Sequence, residues 1–165
     1  MKKLILMLML LAPIATFAQK FGIVNTQTIM QSLPEIKKVE GELQAAAMQY
    51  ENDLKAMQEE LQKQNEAYEK VKSTMNETAR QQKEEELQGL YQKIQEQYQA
   101  NQQELQKKQQ ELMAPIIAKV RQAIENVGKN GNFVFIFEEG TSIYTSATLV
   151  EDVTKLVQTE ITRIK

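Results

Sequence analysis

The side chains that could carry out catalysis in this sequence are carboxylates, because the chain contains neither histidine nor cysteine. The absence of both residue types excludes thiol nucleophiles, imidazole bases and the common zinc ligand sets. Adjacent carboxylates occur at Glu138-Glu139 and at residues 84–86, but neighbouring residues of a strand or a helix point in different directions. We interpret these runs as solvated faces and predict a non-enzyme that needs no cofactor and no metal.

The charge balance argues against a nucleic-acid-binding protein. The chain carries 20 basic and 22 acidic residues, a formal net charge of −2. Such mild acidity offers no attraction to nucleic acid or to an anionic membrane surface. Without cysteine no disulfide can form, so stability must come from helix pairing and oligomerisation.

Residues 1–18 have the pattern of a secretory signal peptide. Lys2 and Lys3 precede an apolar run from Leu4 to Leu11, and small residues lead up to Ala18. The run is too short to cross a bilayer, which requires about 20 apolar residues. We therefore predict an exported protein that is cleaved after Ala18.

A long helical region follows, because glycine and proline are scarce between residues 35 and 127. Apolar residues recur there at steps of three and four, which predicts the seam of a coiled coil. In the second half of the region the predicted seam includes Leu87, Tyr91, Ile94, Tyr98 and Leu105, with Gln102 and Gln109 at positions that lack an apolar residue. This seam is interrupted at residues 76–86, where Ala79 is the only apolar residue. The interruption is either a solvated part of one continuous helix or the place where the chain turns back.

Two short β-prone segments favour a turn. Phe133 to Phe137 needs a partner strand, and Lys20 to Asn25 is the only other such run after the signal. One straight helix would hold them about 140 Å apart. We predict a helical hairpin with its tip near residue 81, within 76–86; a rod whose strands pair between different chains is the alternative.

The predicted fold is therefore mainly α with a small β body. The body comprises residues 19–34 and 128–165, and the hairpin arm, residues 35–127, is inserted after the first strand. Gly128 predicts the end of the arm helix, and residues 142–145 predict a second short strand. Thr148 and Glu151 predict a capping box that begins a C-terminal helix.

The strand from Phe133 to Phe137 is apolar on both faces, and both faces must therefore be covered. We expect other copies of the same chain to complete the sheet. Scattered apolar residues away from the predicted seam, by contrast, suit weak contact with partners of no fixed shape. Those selected here are Met48, Leu90, Met113 and Ile117.

The chain resembles the Skp/OmpH family of periplasmic chaperones. The resemblance is carried by KFGIVNTQTIMQSLPE after the signal, by the helical region rich in Gln, Glu and Lys, and by the segments from Pro115 to Phe137 and from Tyr144 to Asp152. It implies an ATP-independent holdase in the periplasm that binds unfolded outer-membrane proteins before their insertion.

The resemblance also implies a homotrimer with a β-barrel-like body and three helical-hairpin arms that enclose a cavity. It places Met48, Leu90, Met113 and Ile117 on the client side. The core and trimer positions that it implies are Phe21, Ile23, Phe133, Phe135, Phe137 and Tyr144.

The sequence departs from this family in its charge. Well-known members are markedly basic, whereas residues 35–127 contain 13 basic and 17 acidic side chains. The acidic arm argues against binding of lipopolysaccharide or of a membrane surface, and leaves the holdase role in place. The alternative function is a structural coiled-coil spacer or adaptor of the cell envelope.

Overall fold

The structure, a computed structural model, describes residues 19–164, and the predicted signal peptide lies outside them. Its elements are β1 (Lys20–Val24), α1 (Thr26–Ser32), α2 (Pro34–Val71), a short 3₁₀ turn (Lys72–Thr74), α3 (Glu77–Asn130), β2 (Phe133–Glu138), β3 (Val150–Asp152) and α4 (Thr154–Ile161). The predicted fold class is confirmed: long helices are inserted after the first strand of a small sheet, and a short helix ends the chain.

The described chain divides into two compact units, a body unit of residues 19–29 and 120–164 and an arm unit of residues 30–119. The predicted limits were 34/35 and 127/128. Both observed limits, 29/30 and 119/120, lie earlier in the chain. The second does so because Val120, Ala123 and Val127 of α3 are buried and belong to the body unit. Their apolar spacing continues that of the arm helix, so sequence alone gives no sign of the change.

The sheet of the body unit has the order β2-β1-β3, and both pairs of strands are parallel. Phe21 is opposite Phe135 and Ile23 is opposite Phe137, so the predicted pairing of these two segments is confirmed. Parallel neighbours require a long crossover connection. Here the connection from β1 to β2 contains the whole arm unit.

The second partner of β1 is β3, and the predicted strand at residues 142–145 is wrong. Those residues form an exposed loop in which the Ser142 hydroxyl donates to the carbonyl oxygen of Tyr144 over 2.6 Å. A local bond of this kind competes with a strand ladder. The composition of the segment is β-prone, but its backbone is engaged locally.

The predicted capping box is also wrong, because Glu151 lies in β3. The last helix begins at Thr154, whose backbone N–H donates to Asp152 Oδ1 over 2.9 Å. This bond and one from the Thr154 side chain lower the pKa of Asp152. A carboxylate two residues before the first helical turn therefore satisfies one of its free N–H groups.

Gly131 follows α3 at a position with no room for a side chain. A Cβ atom there would lie 2.4 Å from Cε2 of Phe133 and 3.0 Å from the Val127 carbonyl oxygen. We expect Gly131→Ala to displace the Phe133 ring and to lower the free energy of unfolding by about 1–3 kcal/mol, as overpacking does. Urea unfolding followed by far-UV circular dichroism measures this loss.

Gly89→Ala is the matched control, since nothing lies within 4 Å of a Cβ atom at that position of α3. It should raise the free energy of unfolding by about 0.5–1 kcal/mol, because alanine loses less backbone entropy in a helix. Changes of the same sign in both variants would contradict the packing of Phe133 against Gly131.

The arm unit is an antiparallel hairpin of α2 and residues 77–119 of α3. At one end Lys119 Nζ lies 3.0 Å from Glu35 Oε1, and towards the other end Lys83 Nζ lies 3.2 Å from Gln64 Oε1. The chain reverses at residues 72–76, ahead of the predicted tip near residue 81. The Asn76 side chain accepts the N–H of Ala79 and caps the start of α3. Residues 77–86 are therefore solvated helix and not the turn.

Candidate functional site

The carboxylates considered for catalysis form structural hydrogen bonds. Glu138 Oε1 accepts the backbone N–H of Thr26 over 2.9 Å, and Glu139 accepts the side-chain amide of Asn25. In the arm unit, Glu84 accepts the hydroxyl of Tyr68. Among residues 19–164 no group of acidic side chains is arranged to hold a metal ion. These carboxylates position local turns and helix contacts.

One face of the sheet in the body unit exposes apolar side chains. The strand register places Phe21, Ile23, Phe135 and Phe137 on this face, which we call the aromatic face. The rings of Phe21 and Phe135 are stacked with centroids 6.3 Å apart, and those of Phe135 and Phe137 are 5.7 Å apart. Phe135 is 57% exposed and Phe137 is 46% exposed. Stacked aromatic rings that are exposed to solvent to this extent form a surface suited to an apolar partner.

The opposite face of the sheet is covered within the same chain. Because Gly22 has no side chain, Ile136 Cγ1 and Phe133 Cδ1 lie only 3.2 and 3.3 Å from the position that a Cβ atom of residue 22 would occupy. The buried apolar side chains of the body unit are Val24, Ile29, Val120, Ala123, Val127, Val153, Val157 and Ile161.

Two of the six predicted body positions lie away from the aromatic face. The pairing register shifts between Lys20 and Phe21, and Phe133 consequently turns its ring towards Gly22 on the covered face. The Lys20 ammonium group lies 4.9 Å from the centroid of that ring. Tyr144 lies in the loop between β2 and β3 and is 80% exposed. A regular alternation read from sequence cannot show a register shift of this kind.

The four arm positions selected from sequence differ in their exposure. Met48 is 56% exposed and Ile117 is 49% exposed. Leu90 and Met113 are half-buried. Only Met48 and Ile117 therefore offer about half of an apolar side chain to a partner.

The face of α3 that is buried in the arm unit differs from the predicted seam. Tyr91 and Tyr98, both predicted on the seam, are more than half exposed. Ile94, which is also on the predicted seam, is buried, and so is Asn101, seven residues further on. The predicted seam has Gln102 as its polar residue and omits Asn101. A strict seven-residue spacing from Ile94 would have predicted Asn101.

Near the turn of the arm, Tyr68 is buried and its hydroxyl donates to Glu84 Oε1 over 2.5 Å. The Lys72 ammonium lies 5.3 Å from the centre of its ring. Burial, followed by the hydrogen bond to Glu84, raises the pKa of Tyr68 from 10.0 to about 12. The folded arm therefore favours the neutral phenol.

We expect Tyr68 to ionise at higher pH than an unperturbed tyrosine. Because its pKa is higher in the folded than in the unfolded chain, its contribution to stability is complete below pH 10 and is lost as the pH rises through about 12. An alkaline titration of tyrosinate absorbance measures this, and Tyr68→Phe should remove the highest transition. Tyr98→Phe is the control, and loss of that transition in the control would contradict the assignment.

The family model described as outer membrane protein, OmpH-like, matches residues 20–161. The chain belongs to the OmpH-like family. This match covers β1, the whole arm unit and the body unit as far as the end of α4. No helix among the described residues of this OmpH-like chain is long and apolar enough to cross a membrane.

Solved structures give the same fold. An OmpH-like protein of Caulobacter crescentus CB15, described as a candidate outer membrane chaperone, is 19% identical and has a TM-score of 0.75. The match covers 89% of this chain and 86% of that one. Comparison with curated proteins gives no match.

Proposed function

We propose that this OmpH-like protein is an ATP-independent holdase chaperone of the periplasm. It binds unfolded outer-membrane proteins and prevents their aggregation before insertion. Membership of the family supports the proposal, as does the description of the Caulobacter crescentus protein with the same fold. The observation that carries it is the surface of the arm unit, where Met48 and Ile117 are about half exposed among polar and charged neighbours.

Isolated apolar side chains on a polar helix bind weakly, and weak binding suits unfolded clients. Methionine is flexible and polarisable, so Met48 adapts to side chains of different shapes. Several arms that act on one client increase the total affinity by raising the effective concentration. The client is thus held without any single strong site and can leave without ATP.

The proposed assembly is a homotrimer joined through the body unit. The aromatic face supports it, because Phe135 and Phe137 expose about half of their rings in a single chain. Burying such a surface against other copies gives a favourable free energy that an isolated chain lacks. Further exposed apolar side chains in β2 and in the loop after it add to the surface available for assembly. They are Val134, Ile143, Tyr144 and Leu149.

The electrostatics of the arm favour capture through apolar contacts. Residues 35–127 have 13 basic and 17 acidic side chains, and many of these form pairs within one helix, such as Lys55 with Glu59 and Lys107 with Glu111. Such surface pairs contribute little free energy, about 0–1 kcal/mol each. We therefore expect client protection to depend only weakly on salt, and lipopolysaccharide to bind poorly.

The test uses an unfolded outer-membrane barrel protein diluted from urea into buffer with and without the full chain lacking residues 1–18. The proposal requires that light scattering rises more slowly with the protein present and without ATP. The double variant Met48→Gln with Ile117→Gln should need more protein for the same suppression. Val71→Gln, at an exposed apolar residue at the end of α2, is the matched control.

If light scattering rises equally fast with and without the wild-type protein, the holdase proposal is overturned. A coiled-coil spacer or adaptor of the cell envelope would then be favoured. Crosslinking in living cells distinguishes the two functions, because a spacer or adaptor should be captured with a single folded partner. The holdase should be crosslinked to many different outer-membrane proteins.

A further inference from the structure

The two helices of the arm unit leave an open groove between them. Its central cavity has a volume of about 580 Å³ and is bordered by Tyr50 and Leu54 of α2 and by Tyr98 and Leu105 of α3. Cavities of about 450 and 260 Å³ adjoin it and share lining residues with it on either side. We call this continuous space the mid-arm groove, formed by residues 43–58 and 94–109.

A buried polar group lies at the centre of the mid-arm groove. Asn101 lines the central cavity and is only 6% exposed. Its Oδ1 accepts the side-chain amide of Gln97 over 2.8 Å, whereas its Nδ2 has no hydrogen-bond partner within residues 19–164. A buried donor without a partner lowers stability and requires an explanation. Because Nδ2 is enclosed by its neighbours, an acceptor on a bound molecule would satisfy it once the side chain turns towards the cavity.

The length of the mid-arm groove fits an extended peptide. Residues 43–58 of α2 span about 22 Å at the rise of an α-helix. An extended chain of about six or seven residues covers the same distance. The groove is mainly apolar, and the charges on its rim, Glu51 and Lys55, are opposite in sign. An uncharged apolar segment therefore matches it better than an acidic or a basic one.

We infer that the mid-arm groove binds an extended apolar segment of an unfolded polypeptide. Apolar side chains of the segment contact Leu54, Leu105 and the rings of Tyr50 and Tyr98. The Asn101 side chain turns towards the segment, and one of the segment's backbone carbonyls accepts its Nδ2 proton. Recognition through a backbone carbonyl does not depend on sequence, which suits diverse clients. The inference rests on the proposed holdase function and gives it a defined binding site.

A pair of alanines tests the groove by steric blocking. Ala47 lines two of the three cavities, whereas Ala45, two residues earlier in α2, is also exposed but lines none of them. The probe is a fluorescein-labelled nonapeptide of alternating Leu and Ser, and fluorescence polarisation measures its affinity for the full chain without residues 1–18. Ala47→Phe should weaken binding by about tenfold or more, and Ala45→Phe should leave it within about twofold.

Asn101→Leu provides a second test in which two measurements change in opposite directions. Replacing the unpaired amide with an apolar side chain of similar size should raise the thermal midpoint of the arm. The same substitution should weaken peptide binding, because the donor for the backbone carbonyl is lost. A purely structural role for Asn101 would not produce weaker binding in a more stable protein.

The failure of this inference can be distinguished from failure of the proposed function. Equal peptide affinities for wild type, Ala47→Phe and Asn101→Leu would overturn the groove site even if wild type prevents aggregation. Weaker peptide binding in both variants, without any effect of wild type on aggregation, would support the site and overturn the holdase. A change of oligomer mass in Ala47→Phe alone would show that the groove holds a second copy of this chain, and would also overturn the inference.

Discussion

Phe135→Ser combined with Phe137→Ser should convert the proposed homotrimer into monomers. Both rings are about half exposed on the aromatic face and stack on each other with centroids 5.7 Å apart. Completing the burial of a half-exposed phenylalanine contributes about 1 kcal/mol. A trimer buries six such rings, so the double substitution should weaken assembly by about four powers of ten. Mass photometry or sedimentation equilibrium measures the mass without assuming a shape.

The substituted body unit should remain folded, because its core lies on the other face of the sheet. Val24, Val153 and Val157 are buried there within a single chain. Far-UV circular dichroism should therefore show little change at protein concentrations where the mass has fallen to one third. Val71→Ser, at an exposed apolar residue of the arm unit, is the control and should keep the wild-type mass. An unchanged mass in the double variant would contradict assembly through the aromatic face.

Pairing of the first strand with the strand after the arm could be predicted from sequence, and the reason is geometric. The runs Lys20 to Asn25 and Phe133 to Phe137 combine several apolar side chains with β propensity, and each requires a partner. If the two segments pair within one chain, their separation in sequence requires the helices between them to reverse direction. That constraint is independent of family resemblance, and the parallel pairing of Phe21 with Phe135 and of Ile23 with Phe137 satisfies it.

The third strand could not be predicted in the same way, because its three residues depend on tertiary contacts. Val150, Glu151 and Asp152 pair with β1, but two of the three are acidic and have low β propensity. Lys20 compensates in part, since its ammonium lies 3.3 Å from Glu151 Oε2. A short edge strand with acidic residues also resists unwanted pairing with other chains.

The mid-arm groove could not be predicted from sequence, because the predicted seam of α3 includes Tyr98 and Gln102, whereas the structure exposes Tyr98 and buries Asn101. Placing Gln102 on the seam of α3 gives a polar side chain that reaches solvent easily and implies an ordinary interface. The structure buries Asn101 instead, whose short side chain cannot extend past its neighbours to water. On a helix a shift of one residue rotates the inward face by about 100°. The consequence is an open, partly polar groove at a place where the predicted seam had Gln102 between apolar residues.

Ile29→Ala should destabilise the body unit more than any substitution at its surface. Ile29 is the only buried residue of α1 and has no exposed area. The helix is held at its start by two side chains, since Asn25 Oδ1 accepts the N–H of Thr28 and Glu138 accepts that of Thr26. Truncation leaves a cavity between fixed elements, and we expect the free energy of unfolding to fall by about 2–5 kcal/mol.

Ile29→Val separates a packing defect from a general effect of changing this position. Removal of one methylene group should cost about 0.5–1.5 kcal/mol if the site is tightly packed. Leu156→Ala in α4, where the side chain is 48% exposed, should cost less than Ile29→Ala because water already reaches that side chain. Urea unfolding of all three variants at one protein concentration gives the comparison, since an assembled protein gains stability with concentration. If Ile29→Ala costs no more than Leu156→Ala, α1 does not pack into the core of the body unit, and the position of the entire segment that leads from β1 to the arm would have to be revised.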